Sequence, residues 1–107
     1  MGCLDGIRII DFTRYAAGPQ ITLLLAFMGA EVIKLESRMD IDHFRRQESA
    51  VVWGSQRASV DCFNSLNANK LGVTLNLKTD AGVELAKSLI AISDVAVDNF
   101  KAGTMDR

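Results

Sequence analysis

The cations of this sequence fall in a pattern. Arg14, Arg38, Lys78 and the pair Lys101 and Arg107 each come soon after a short apolar run, and those runs end near Phe12, Leu35, Leu77 and Val97. If the runs are strands of one parallel sheet, the cations collect along one edge. There a guanidinium offers a planar fork and an ammonium a point charge, two common partners of a phosphate or pyrophosphate. Solvation explains the same residues without a ligand, since 12 Lys and Arg leave several for any loop. Two other constellations compete. The sole histidine, His43, stands with Asp40 and Asp42, a donor set that can hold a metal, yet a solvated charged loop accounts for it and no metal is expected. Asp11 and Asp98, each beside a strand end, could work as acid and base, but carboxylates there more simply accept hydrogen bonds from loop N–H groups.

The elements that must position these residues can be read from periodicity. Ile7, Ile9, Ile10 and Phe12 form an apolar run too short for a stable helix. Gly18 and Pro19 then precede a nearly all-apolar segment, Ile21 to Met28, which Gly29 closes and Val32, Ile33 and Leu35 follow. This reads as strand, helix, strand, with proline in the first helical turn and glycine just past the last. Its length fits a βαβ crossover, which makes the two strands parallel. Leu23, Leu24, Leu25, Phe27 and Met28 leave the helix little polar face, so it should meet the sheet on one side and further protein, such as a second subunit, on the other.

The charged chain from Arg38 to Glu48 reads as a surface excursion, Ala50 to Trp53 as partial burial, and Val60 to Leu66 as either a short helix or irregular chain. From Gly72, the residues Val73, Leu75 and Leu77 alternate with Thr74 and Asn76, which predicts a strand running to Leu77. Thr79 offers an N-cap and Asp80 a first-turn carboxylate. Val83, Ala86, Leu89 and Ile90 supply a helical face to about Ser93, although Gly82 sits where a capping box wants Glu or Gln. Val95 to Val97 is a fourth, short strand. The fold class is therefore α/β, a parallel sheet of about four strands built by βαβ crossovers. In such sheets ligands bind beyond the carboxyl ends of the strands, where helix N-termini add positive potential. Tyr15 to Pro19 has the place of a dinucleotide phosphate loop but lacks G-x-G-x-x-G, which argues against NAD or FAD.

Composition sets the remaining bounds. The 107 residues make one domain at most, and 49% apolar with 23% charged residues is the mixture of an ordered globular chain. A net charge of −1 argues against a nucleic-acid partner. No apolar run is long enough to span a membrane, and no signal core follows a basic N-terminus; a cytoplasmic protein with no membrane partner is expected. Gly6 stands where myristoylation prefers Ser or Thr. Cys3 and Cys62 lack metal-type spacing, so two reduced thiols are expected.

Six blocks, in order and spacing, carry a resemblance. They are L-D-G-I-R-I-I-D-F-T-R at Leu4 to Arg14, A-G-P at Ala17 to Pro19, M-G-A-E-V-I-K-L-E at Met28 to Glu36, N-A-N-K at Asn67 to Lys70, L-N-L-K-T at Leu75 to Thr79, and D-N-F-K-A-G at Asp98 to Gly103. Together they resemble the N-terminal part of the family III CoA-transferases, the group with formyl-CoA and carnitine CoA-transferases and, as a relative, α-methylacyl-CoA racemase. The resemblance implies a Rossmann-like domain within an interlocked homodimer. It implies coenzyme A, met as an acyl-CoA substrate, along the strand ends. The adenine would lie near Leu75, Asn76 and Lys78, with further contacts at Asn99, Phe100 and Lys101, an arginine at Arg107, and Ala16 and Ala17 in the loop before the first helix. Lys78 and Arg107 would meet phosphates, while Leu75 and Phe100 would flank the base or pantetheine. Arg38 would substitute for a CoA-contacting arginine whose place Ser37 takes. Ala16 stands where formyl-CoA transferases carry a glutamine, which argues against formyl or oxalyl specificity.

The family's nucleophilic aspartate, which forms a mixed anhydride with the acyl group, has no match in these residues. No catalytic residue is assigned, and residues 1–107 are expected to be a single partial domain, an N-terminal CoA-binding portion not competent alone. The alternative is a stand-alone nucleotide-binding or protein-interaction module derived from the same fold.

Overall fold

A computed structural model of the chain describes residues 2–14, 17–37, 64–100 and 105. The expectations placed on Ala16, Arg38, Lys101 and Arg107, on His43 with Asp40 and Asp42, and on Cys62 lie outside the described residues. Six elements follow one another: β1 (Arg8–Asp11), α1 (Ala17–Phe27), β2 (Glu31–Glu36), β3 (Leu71–Thr74), α2 (Asp80–Ala91) and β4 (Val95–Val97). Residues 64–66, the end of the ambiguous stretch, make a helical turn.

The four strands form one parallel sheet in the order β3-β2-β1-β4. Ile9 faces Val32 on one side and Val95 on the other, while Leu35 faces Val73. The chain leaves β1 toward β2 and returns from β3 to β4 in the opposite direction. Right-handed crossovers of opposite sense put their helices on opposite faces of the sheet, and the core divides accordingly. Ile9 and Val32 pack with Ala26 and Leu25 of α1, whereas Ile10, Phe12 and Leu35 pack with Ala86, Leu89 and Ile90 of α2. Adjacent Ile9 and Ile10 thus serve different layers, as strand alternation requires. This is the parallel α/β arrangement the periodicity predicts.

One local expectation is corrected and a second gains a physical reason. The third strand stops at Thr74 rather than Leu77. The Leu75 N–H still reaches the Glu36 carbonyl at 2.8 Å, but Asn76 then turns the chain: its Oδ1 accepts from the Lys78 N–H at 3.0 Å, and its carbonyl accepts from the Thr79 N–H and hydroxyl. A side-chain acceptor of this kind competes with the strand ladder, and apolar alternation alone does not reveal it. Gly82 is the second case. Thr79 caps α2 by accepting the Gly82 N–H at 3.1 Å, and a Cβ on Gly82 would lie 1.9 Å from the Asn76 carbonyl oxygen. The residue that weakens a capping box is the one that lets the turn close on the helix.

The burial of α1 also differs in detail from the expectation. Gly18, Pro19, Thr22 and Ala26 are the buried residues, so a stripe of small side chains faces inward and the helix sits close to its neighbours. Ile21, Leu24, Phe27 and Met28 turn outward, between 48% and 64% exposed. No helix among the described residues is long and apolar enough to cross a membrane.

Candidate functional site: the carboxyl edge of the sheet

Strand order reverses between β1 and β4, and the segments leaving their carboxyl ends diverge there to form the crevice where open α/β sheets take ligands. Asn99, just past β4, bridges this crevice. Its Oδ1 accepts from the Arg14 N–H at 3.0 Å and its Nδ2 donates to the Arg14 carbonyl at 2.7 Å. One amide side chain therefore fixes both main-chain groups of Arg14.

Beneath this loop lies a buried polar cluster. Asp11, at the end of β1 and fully buried, accepts from the Thr13 N–H at 2.7 Å and from the Thr13 hydroxyl on Oδ1, and from the Thr22 hydroxyl at 2.7 Å and Lys70 Nζ at 3.0 Å on Oδ2. Burial pushes the Asp11 carboxyl up, but the bonds from Thr13 and Thr22 and the Lys70 charge outweigh it and hold the group below its ordinary value. With four donors on its two oxygens, Asp11 is a filled acceptor, not a free base. The plain reading of this aspartate as an acceptor for its own loop is the one the geometry supports.

The N-A-N-K block completes the cluster. Lys70 Nζ also donates to the Pro19 carbonyl at 3.1 Å and to Asn67 Oδ1 at 2.8 Å, and Lys34 Nζ reaches Asn67 Oδ1 at 2.9 Å and the Thr13 carbonyl at 3.2 Å. Asn69, at φ 60°, donates to the Ala26 carbonyl at 3.1 Å. The short turn at Asn67–Lys70 thus grips α1 near both ends, through Pro19 and Ala26. No periodicity marks these residues as a unit. Only the resemblance singled out the block, and it assigned no role.

The pocket itself opens at the ends of β2 and β3. Leu35, Glu36 and Ser37 form one wall, Leu75, Asn76, Leu77 and Lys78 a second, and Arg14 and Phe100 close it. Leu75 and Phe100 belong to the layer that packs on Ile10, Phe12 and Leu35, so the apolar walls extend the core and are fixed by it. The cavity is ≈ 90 Å³. An engineered cavity that takes benzene is about 150 Å³, so an aromatic ring seats here with part of it outside. Leu75, Asn76, Lys78 and Phe100, four of the ten expected contacts, line this one concavity. Asn99 stands behind it, engaged with Arg14. Ala17 is exposed at the start of α1 and is not part of the lining. Arg14, grouped with the edge cations but not with the expected contacts, is a pocket residue; so are Leu35, Glu36, Ser37 and Leu77. Their position at or just past the end of a predicted strand was the available signal.

Comparison with known proteins gives a consistent assignment. Residues 4–107 match CoA-transferase family III. Succinyl-CoA:mesaconate CoA-transferase of Haloarcula marismortui is 45% identical over 107 residues, all of this chain and 27% of that protein. Formyl-CoA:oxalate CoA-transferase of Streptomyces avermitilis is 41% identical over 108 residues, 97% of this chain and 24% of that protein. Among solved structures, Rv3272 of Mycobacterium tuberculosis superposes with a TM-score of 0.82 at 32% identity, over 99% of this chain and 27% of that one. A CAIB/BAIF family protein of Brucella suis gives 0.79 at 32% identity, over 98% and 28%. The chain thus spans about a quarter of the length of the relatives it matches. With its sequence matched to the family from residue 4 to residue 107, the chain belongs to CoA-transferase family III.

Proposed function

We propose that this chain is the N-terminal CoA-binding part of a CoA-transferase that moves CoA from an acyl-CoA to a carboxylic acid. The supporting observation is the convergence of Leu75, Asn76, Lys78 and Phe100 on one pocket at the carboxyl edge of the sheet, with Arg14 beside them. Leu75 and Phe100 give an aromatic base two apolar walls, and the two cations accept the phosphates attached to it. Catalysis belongs to residues outside this chain. Asp11, the buried carboxylate at the site, has its acceptor capacity filled and is held ionised by its donors, so it neither attacks an acyl group nor moves a proton. In this reading the chain alone binds CoA without turnover.

In this reading the protein is cytoplasmic and self-associates, because Ile21, Leu24, Phe27 and Met28 present an apolar face that water alone would otherwise cover. That face also favours the second reading, an interaction module that has kept the fold. Calorimetry with CoA and ADP separates the two. CoA binding that Lys78→Ala weakens supports the first, whereas a tight dimer that binds neither ligand supports the second. Transferase turnover by the purified chain would overturn the claim of inactivity.

A further inference from the structure

The Arg14 guanidinium is anchored so that one edge of it stays open. Its Nη1 donates to the carbonyl oxygens of Phe12 and Thr13, each at 3.0 Å, while Asn99 pins the Arg14 main chain. Nη1 lies on the same side of the guanidinium as Cδ. What remains is the opposite edge, the Nε–H with one N–H of Nη2, the parallel pair that takes two oxygens of a carboxylate or phosphate side-on. Among the described residues nothing accepts from Nε, which solvent does not reach, and none of the ion pairs among them includes Arg14. A buried donor without an acceptor is costly and uncommon in a native protein, and a ligand oxygen would relieve it.

We infer that Arg14 reads the anionic part of the ligand in this pocket, taking two oxygens of a phosphate side-on through Nε and Nη2, with Lys78 as a neighbouring point charge. The inference rests on the proposal that the pocket holds the nucleotide end of CoA. A phosphate fits better than a substrate carboxylate because Arg14 lines the same cavity as Leu75 and Phe100, and a nucleotide joins an aromatic ring to phosphates through one sugar. Entry of the oxygens requires the open edge to swing toward the pocket. Anchoring through Nη1 alone permits that motion. Lysine in this place would keep the charge and a donor for the two carbonyls but would lose the fork.

The test titrates the wild-type chain, Arg14→Lys and Arg14→Gln with ADP, adenosine, CoA and succinate, following backbone amide signals and checking each variant by thermal melting. Arg14→Lys should bind ADP roughly tenfold more weakly or worse, with adenosine affinity within about twofold of wild type, because only the phosphate interaction is lost. A merely structural role would weaken both ligands alike, and that result, or no weakening of ADP, overturns the inference while leaving the nucleotide reading in place. Should Arg14→Lys melt early, the ADP-to-adenosine affinity ratio of Arg14→Gln, taken where that variant is folded, decides by the same criterion. Succinate that displaces ADP from the wild type but not from Arg14→Lys transfers the fork to a carboxylate and overturns the phosphate assignment. A wild-type chain that binds neither ADP nor CoA overturns the underlying proposal and this inference with it.

Discussion

Replacing Asp11 by asparagine removes one charge from the cluster that holds α1 against the sheet, and the cost can be worked through donor by donor. In the wild type, four donors share the two carboxylate oxygens. In Asp11→Asn the amide oxygen keeps the two donors of Thr13, and the Thr22 hydroxyl can rotate to accept from the new NH2 group while bonding the Pro19 carbonyl, already 3.1 Å away. Lys70 has no such option. Its ammonium, in a side chain 2% exposed, faces a donor at that oxygen and keeps its bonds to the neutral acceptors of Pro19 and Asn67. Breaking a buried ion pair on one side costs about 3–5 kcal/mol, and the surviving acceptors place this case near the lower limit, about 3 kcal/mol. Urea denaturation followed by far-UV circular dichroism should show a midpoint lower by about 1–3 M. The effect also has a pH signature. The folded-state carboxyl is held below its ordinary value of 3.8, so its contribution is complete above that value and is lost as the pH falls below it, through the folded-state value. The stability gap between wild type and Asp11→Asn should therefore close on acidification below pH 3.8. A loss under about 1 kcal/mol at neutral pH would refute the view of Asp11 as the centre of the cluster.

Other outcomes follow from the same geometry. Gly82→Ala should destabilise the chain by about 1–3 kcal/mol in the same denaturation assay, because its Cβ meets the Asn76 carbonyl. Lys78→Ala should weaken CoA binding by about tenfold in calorimetry at low salt, with the difference shrinking as salt screens the phosphates. Asn99→Ala frees both main-chain groups of Arg14; ADP affinity should fall by about tenfold, and unchanged affinity would show that the clamp does not shape the pocket. Leu24→Glu with Phe27→Glu, on the outward face of α1, should shift sedimentation toward monomer if that face mediates association.

The parts of the fold that follow from apolar spacing were legible in the sequence. The two crossovers, Pro19 in the first turn of α1, the Thr79 cap and the short fourth strand all rest on local periodicity or local capping chemistry, and all four stand where those rules place them. What the sequence concealed depends on contacts distant along the chain. Asp11 and Lys70 are 59 residues apart, and Asn99 reaches Arg14 across 85; neither pair leaves a periodic trace. The end of β3 escapes the apolar pattern because Leu75 and Leu77 keep the alternation going while the Asn76 side chain, invisible to that pattern, turns the backbone. In α1 the large apolar residues drew attention outward, whereas Thr22 and Ala26 make the inward contact. At the pocket, the cations Arg14 and Lys78 come together as their places after β1 and β3 suggest. The role of Asn67 to Lys70 in gripping α1 had no signature beyond the block itself.

Titration of the uniformly labelled chain with CoA, followed residue by residue through backbone amides, bears most directly on the proposed function. Saturable shifts should concentrate at Arg14, Ser37, Asn76, Lys78 and Phe100, around the pocket at the carboxyl edge. Shifts gathered instead near Arg8 and Asp94 at the opposite ends of the strands, or no saturable change at all, would contradict it.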